Sequence, residues 1–126
     1  MNTAATPARQ LICLLQDTAA GQTADLAAVE LLARHNHFLH LPQFRRVIAA
    51  TTSVFTGQPV VTIRWQAAIT ALESGHLPAT GSEQAVLRIA ASIGDHDIPV
   101  HLREILGGLD HRNIALITAA ITQANH

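Results

Sequence analysis

Signals that start and stop helices follow one another closely over residues 81–126, and they constrain the fold more than any other feature of the sequence. Thr80 and Glu83 match the capping-box pattern, in which each side chain bonds to the backbone of the other. Residues 107–108 are a Gly-Gly pair suited to ending a second helix, and Asp110 is suited to starting a third. The sequence therefore predicts a C-terminal unit of three helices.

Apolar residues recur in each of these three segments at the spacing of an amphipathic helix. Such a stripe normally packs on a core while the opposite face of the helix meets solvent. We expect the following side chains to face inward: Val86, Ile89, Ala90, Ile93, Leu102, Ile105, Leu106, Ile114, Ile117 and Ile121.

The first half of the chain carries the same kind of signals. Helices are predicted to begin at Pro7, Thr23 and Leu41, and a fourth runs from Trp65 to a glycine cap at Gly75. The apolar stripe of the short third helix is expected to comprise Phe44, Val47 and Ile48. Together with the C-terminal unit, the sequence predicts a mainly α fold of about six short helices.

Residues 50–65 differ from the rest of the chain because β-branched and aromatic residues dominate there. Val61 and Ile63 alternate with polar neighbours, and residues 56–59, Thr-Gly-Gln-Pro, supply a turn. The sequence predicts one small β-hairpin in this segment. An isolated hairpin is marginally stable in water, so it must either lie against the helices or pair with a second copy of itself.

The chain is unusually poor in charge. Charged residues make up 13% of its 126 residues, and the formal net charge is −1, whereas soluble domains typically contain about 25% charged residues. A chain of this length fits one domain, residues 1–126, with a possible seam at residues 78–81. Little charge means little repulsion between copies and apolar surface left uncovered, so we expect a homodimer.

The order of a short helix, a glycine turn and a longer helix in the C-terminal unit is also that of a helix-turn-helix. The charge of the segment argues against DNA binding, because residues 81–126 hold three arginines and five acidic residues, a net charge of −2. Asp110, at the start of the recognition helix, would repel phosphate. Binding of duplex DNA through a degenerate motif, as in a transcription regulator, remains the alternative function.

Three histidines, His35, His37 and His40, cluster where the second helix should fade and are the only weak candidates for metal ligands. On a continuous helix His35 and His37 point about 200° apart, and the cluster contains no carboxylate. Residues 95–97, Asp-His-Asp, are interpreted as a turn between helices rather than an acid/base site. We expect no bound metal at either position.

Four arginines form the one concentration of basic residues and are a candidate interaction surface for an acidic partner or phosphate: Arg34, Arg45, Arg46 and Arg64. A solvated face without a partner is the interpretation that we favour over such a contact. Cys13 has apolar neighbours and is expected to be a small buried side chain. A single cysteine excludes an intramolecular disulfide and fits a reducing, cytoplasmic location.

Residues 82–125, about a third of the chain, contain the run Ala-Val-Leu-Arg-Ile-Ala-Ala-Ser at 85–92, then Gly108-Leu109-Asp110 and Asn113. This part resembles the C-terminal half of small hypothetical proteins encoded by actinomycetes, and the start of the Trp65 helix extends the likeness more loosely. The resemblance implies a cytoplasmic, actinobacterial protein. It implies no activity, cofactor or site.

No motif of a phosphate-binding loop, a nucleophile elbow or a zinc helix occurs in the sequence. We therefore expect neither enzymatic activity nor a cofactor. The longest apolar run near the start, residues 11–15, is too short for a signal peptide or a membrane span. The sequence thus predicts a cytoplasmic, non-enzymatic interaction or oligomerisation module.

Overall fold

The computed structural model describes residues 5–125, which form seven α-helices, one 3-10 turn and a two-stranded antiparallel sheet. This confirms the predicted fold class, mainly α with one small hairpin. The elements are α1 (Ala8–Ala19), α2 (Thr23–His35), the 3-10 turn (Phe38–His40), α3 (Pro42–Arg45), β1 (Ile48–Thr52), β2 (Pro59–Ile63), α4 (Trp65–Glu73), α5 (Gly81–Gly94), α6 (Leu102–Leu106) and α7 (His111–Ala124).

Several helix ends lie where their local signals predict. The Thr80 side chain accepts a hydrogen bond from the Glu83 backbone, and the Glu83 carboxylate accepts one from the Thr80 backbone, so the capping box at α5 is confirmed. Asp110 caps α7 by accepting from the Asn113 backbone. Asn36 and Gly75, just beyond α2 and α4, adopt left-handed backbone with φ of 62° and 77°.

Helix α2 lies at the centre of the fold, because it packs against α1, α5 and α7. It therefore joins the part of the chain before residues 78–81 to the part after it. Helix α1 also covers β2, and α4 packs on α5. The largest fully buried side chains are Phe38, Phe44, Leu11, Leu15, Leu31, Leu32, Leu39, Leu87, Val61 and Val86.

The hairpin begins earlier than predicted. Ile48 pairs with Ile63 and Thr52 with Pro59, so the strands span residues 48–63 and Trp65 belongs to α4. The expected helical stripe through Val47 and Ile48 is wrong, because α3 ends at Arg45 and the Val47 carbonyl accepts from the Arg64 backbone. Val47 and Ile48 are still buried, but their burial comes from the sheet rather than from a helix face.

The C-terminal helices are rotated relative to the prediction. In α7 the buried side chains are Asn113, Ile117 and Ala120, whereas Ile114 and Ile121, which were expected inward, are exposed. In α6 only Ile105 is buried, and Leu102 and Leu106 are exposed. The face that α7 presents is set by its packing on α2 and α5, and that contact buries the stripe containing Asn113.

Candidate functional site

The tip of the hairpin carries two large apolar side chains that contact almost nothing. Val54 is 91% exposed and Phe55 is 94% exposed. Their loop is nevertheless tied: the Ser53 hydroxyl accepts from the backbones of Phe55 and Thr56, and the Ser53 and Gln58 backbones close the loop at 2.9 Å. The loop therefore holds an apolar pair in solvent in a defined conformation, an arrangement typical of interaction surfaces.

The two outer edges of the hairpin differ. Backbone hydrogen bonds at Val47–Arg64 and Ser53–Gln58 show which residues of β1 bond to β2. In an antiparallel pair only every second residue of a strand bonds to its partner. The N–H and C=O groups of the alternate residues, Ile48, Ala50 and Thr52, therefore point away from β2. Among residues 5–125 these groups have no hydrogen-bond partner.

The outer edge of β2 is covered instead. The backbone N–H of Val61 donates to the Thr18 hydroxyl of α1 at 2.9 Å, and the strand begins with Pro59, which has no N–H. Helix α1 packs against this strand. The hairpin thus satisfies the prediction that it lies against the helices, but it does so through β2 and leaves the edge of β1 open.

The four arginines of the candidate surface do not form one patch of free cations. Arg45 is half-buried and its guanidinium donates to the backbone carbonyls of Leu39 and Thr6, so it ties α3 to the start of α1. The sequence-based expectation that Arg45 is exposed beside Arg46 is therefore wrong. Arg45 is a structural residue, because backbone carbonyls take up its donors.

The other three arginines are exposed. Arg34 pairs with Glu30 at 3.2 Å along α2, whereas Arg46 and Arg64 flank the Val47–Arg64 backbone bond at the base of the hairpin. Of the four arginines, Arg46 and Arg64 thus lie at the base of the hairpin, just before β1 and just after β2.

The solvent-facing side of α6 and α7 carries several large apolar side chains among charged and polar ones. Four of the exposed large side chains lie there, Leu102 and Leu106 on α6 and Ile114 and Ile121 on α7. Arg112, at the start of α7, donates to the carbonyl of Arg34 at 3.4 Å. A DNA reader presents basic and polar side chains on the face of its recognition helix, whereas the exposed face of α7 combines Arg112 with the apolar Ile114 and Ile121.

The histidine cluster is divided among three environments. His35 is buried, and its ring centroid lies 5.9 Å from that of His37. His37 contacts the Pro78 carbonyl at 3.0 Å and the Glu83 carboxylate at 3.3 Å, while His40 bonds to Asn36. The sequence has no carboxylate within the cluster, but the fold brings Glu83 to it from α5.

His35 and Glu83 belong to a polar region that we call the helical junction, where the end of α2 meets the starts of α5 and α7: His35, His37, Ser82, Glu83, Asp110 and Asn113. Burial lowers the pKa of His35, and the neighbouring His37 lowers it further. Hydrogen bonding from the Thr80 backbone lowers the pKa of Glu83. The Nδ1 atom of His35 has no hydrogen-bond partner among residues 5–125, which favours a neutral ring because a charged ring would bury an unpaired N–H there.

Two further features of chemical interest are the segment Asp95–Asp97 and the lone cysteine Cys13. Asp95, His96 and Asp97 have ligand-type atoms within 4.8 Å of one another, but the Asp95 carboxylate caps the Asp97 backbone as in the predicted turn. Cys13 is exposed, so the expectation of a buried thiol is wrong. The face of α1 that packs inward is marked by Leu11, Leu15 and Ala19, and Cys13 lies away from it.

Two cavities lie between the elements of residues 5–125. One of about 160 Å³ lies between α1, α2 and β2 under Trp65, whose ring covers Gly94 so closely that a Cβ there would overlap it. A second of about 440 Å³ separates α5 from α6 and is lined by Arg88, His101 and Glu104. Arg88 pairs with Glu73 at 3.5 Å, outside that cavity.

Comparison with protein-family models, with curated proteins and with solved structures found no match to this chain. The resemblance of residues 82–125 to actinomycete proteins therefore stays a prediction. Within residues 5–125, no helix combines the length and the apolar character needed to cross a bilayer.

Sequence patterns did not predict the two most exposed large apolar residues of the structure, Val54 and Phe55. The hairpin prediction covers residues 50–65 but does not single out either residue. A signal was available, because both residues stand among turn formers and have no apolar residue two positions before or after them, as a strand face would require.

Proposed function

We propose that this protein is a non-enzymatic interaction module that forms a homodimer. One observation carries the proposal: six large apolar side chains remain 42% or more exposed in a small, weakly charged chain, Val54, Phe55, Leu102, Leu106, Ile114 and Ile121. Scattered exposed apolar residues are ordinary, but pairs concentrated at a loop tip and on two successive helices mark surfaces that bind protein.

The charge balance supports association between copies rather than with a strongly charged partner. The formal net charge of −1 gives little long-range repulsion, and two of the four clustered arginines are taken up by a carboxylate or by carbonyls. We further infer a cytoplasmic location, because an exposed lone Cys13 is best kept reduced there.

Sedimentation velocity of the untagged full chain at tens of micromolar tests the proposal. We expect a dimer that dissociates on dilution. A strict monomer over the whole concentration range, at low and at physiological salt, would overturn the proposed function.

A further inference from the structure

We propose that the outer edge of β1 pairs with the same edge of a second copy of this chain, antiparallel and centred on Ala50. The pairing joins two hairpins into one four-stranded sheet. This inference rests on the proposed homodimer and names the surface that forms it.

The open edge of β1 lacks the features that normally prevent pairing. Soluble proteins protect edge strands with charge, proline, a bulge or a covering element, because unpaired N–H and C=O groups bind other strands. Strand β1 reads Ile-Ala-Ala-Thr-Thr, with no charge and no proline, and its register with β2 is continuous. Strand β2 has both Pro59 and the hydroxyl cap from Thr18 on its outer edge. Only one edge of this sheet is thus left able to accept a strand.

The hydrogen-bonding pattern of β1 selects the register. The outward groups belong to Ile48, Ala50 and Thr52. When Ala50 lies opposite Ala50 of the second copy, Ile48 lies opposite Thr52, and about six hydrogen bonds satisfy all the outward groups of both strands. If the two-fold axis instead lay at Ala49 or Thr51, one residue of each strand with outward-pointing N–H and C=O groups would face no strand residue of the other copy.

The arrangement is self-complementary, which favours a second copy over an unrelated chain. A two-fold axis at Ala50 makes both sides of the contact identical, as in most homodimers. The side chains of β1 are uncharged, so two copies do not repel each other along the strand. Arg46, which precedes the strand, comes near the Val54 and Phe55 tip of the other copy, because Thr52 pairs with Ile48.

The tips also supply contact area. A phenylalanine side chain buries about 150–250 Å² when it is covered, and both Phe55 side chains are almost fully exposed in the monomer. Two covered Phe55 side chains supply about 300–500 Å² of the roughly 1,200 Å² that specific interfaces bury, and the Val54 side chains, the surfaces they cover and the strand edges add to it.

Disulfide trapping tests the register directly. The Ala50→Cys substitution is made with Cys13→Ser, because the exposed native thiol would otherwise form its own cross-links. Facing residues of a hydrogen-bonded antiparallel pair have Cα atoms about 5.5 Å apart, within the range of a disulfide. We expect oxidised glutathione to convert most of this variant to a covalent dimer at a concentration where the parent is dimeric.

Thr62→Cys on the same background is the matched control, because Thr62 is exposed on the neighbouring strand. In the four-stranded sheet its two copies lie about three strand spacings, or roughly 14 Å, apart, so no covalent dimer should form. A dimer in sedimentation without cross-linking at position 50 would overturn the strand pairing and leave the proposed function standing. A monomer would overturn both.

Two measurements keep the inference testable if Ala50→Cys folds poorly. In the parent protein, amide exchange at Ile48, Ala50 and Thr52 should slow as concentration rises, while exchange at Ala49 stays constant, since only the first three amides enter the interface. Ala50→Pro removes an N–H that the hairpin itself does not use and should weaken dimerisation at least about tenfold. Concentration-independent exchange at all three amides in a dimeric sample would contradict the pairing.

Discussion

The helical junction and the hairpin differ in whether their polar backbone groups are hydrogen-bonded and their apolar side chains are covered. At the junction, the starts of α5 and α7 are capped by Thr80 and Asp110, and Asn113 donates from its buried side chain to Ser82 at 2.7 Å. At the hairpin, backbone groups on the β1 edge have no partner among residues 5–125, and the apolar tip is in solvent. The junction thus satisfies the polar groups at these two helix starts within the chain, whereas the hairpin leaves backbone groups and apolar side chains without a partner among residues 5–125.

The largest effect on stability should come from the centre of the junction. Asn113→Ala removes the bond to Ser82 and leaves polar groups unpaired in a buried position, so we expect the free energy of unfolding to fall by about 2 kcal/mol. Urea denaturation followed by circular dichroism measures it. Thr122→Ala, on the exposed side of the same helix, should stay within about 0.5 kcal/mol of the parent. Equal values for the two variants would show that the junction is no more stabilising than the surface.

The next largest effect concerns the capping box. Thr80→Ala removes the acceptor for the Glu83 backbone and should lower the free energy of unfolding by about 1 kcal/mol. Thr80→Ser keeps the hydroxyl and should restore most of the loss. The same denaturation series measures both variants, and a failure of serine to rescue stability would argue that the methyl group rather than the cap matters.

Acidification should lower the free energy of unfolding through the helical junction. Because the pKa of His35 is lowered in the folded state, the unfolded chain binds more protons once the pH falls below the usual histidine range, about 6.5. Stability is therefore fully present above that range and declines as the pH falls through it. The lowered pKa of Glu83 adds a further decline below the usual glutamate range.

Thermal unfolding between about pH 7.5 and 5.5 measures this decline. His35→Gln should flatten the slope, whereas His96→Gln, which changes an exposed ring, should keep the slope of the parent. A parent protein that gains stability on acidification would contradict the assignment of a neutral buried His35.

The smallest effect on monomer stability should come from the hairpin tip. Phe55→Ser removes a side chain that is 94% exposed, so the free energy of unfolding should change by less than about 0.5 kcal/mol. The same substitution should weaken dimerisation in sedimentation, because the tip adds apolar contact area. If the substitution lowered monomer stability but left dimerisation unchanged, the tip would support the fold of the monomer rather than the contact between copies.

Local signals in the sequence predicted the parts of the fold that depend on local backbone. The capping box at Thr80 and Glu83, the Asp110 cap and the glycine after α4 each involve residues within a few positions of one another. The partners in each such contact are neighbours in sequence, so the sequence pattern alone identifies them.

The errors concern features that distant segments decide. Ile48 has helical spacing from Phe44, but its strand partner Ile63 lies fifteen residues later. Ile114 and Ile121 read as a buried stripe, yet packing on α2 and the bond from Asn113 to Ser82 turn the neighbouring face of α7 inward. The carboxylate beside His37 arrives from α5. The open edge of β1 is likewise visible only once helix α1 is seen to cover the other strand.

The cover on β2 also limits how large an assembly this sheet can build. A fibre grows only if each added molecule exposes a fresh edge that accepts the next one. Here Pro59 and the Thr18 hydroxyl block the outer edge of β2 in every hairpin. If two copies pair through β1, no open strand edge is left for a third copy. In the proposed dimer the sheet would therefore end at four strands, and an open edge of the kind that lets other proteins polymerise would give an assembly limited to two copies.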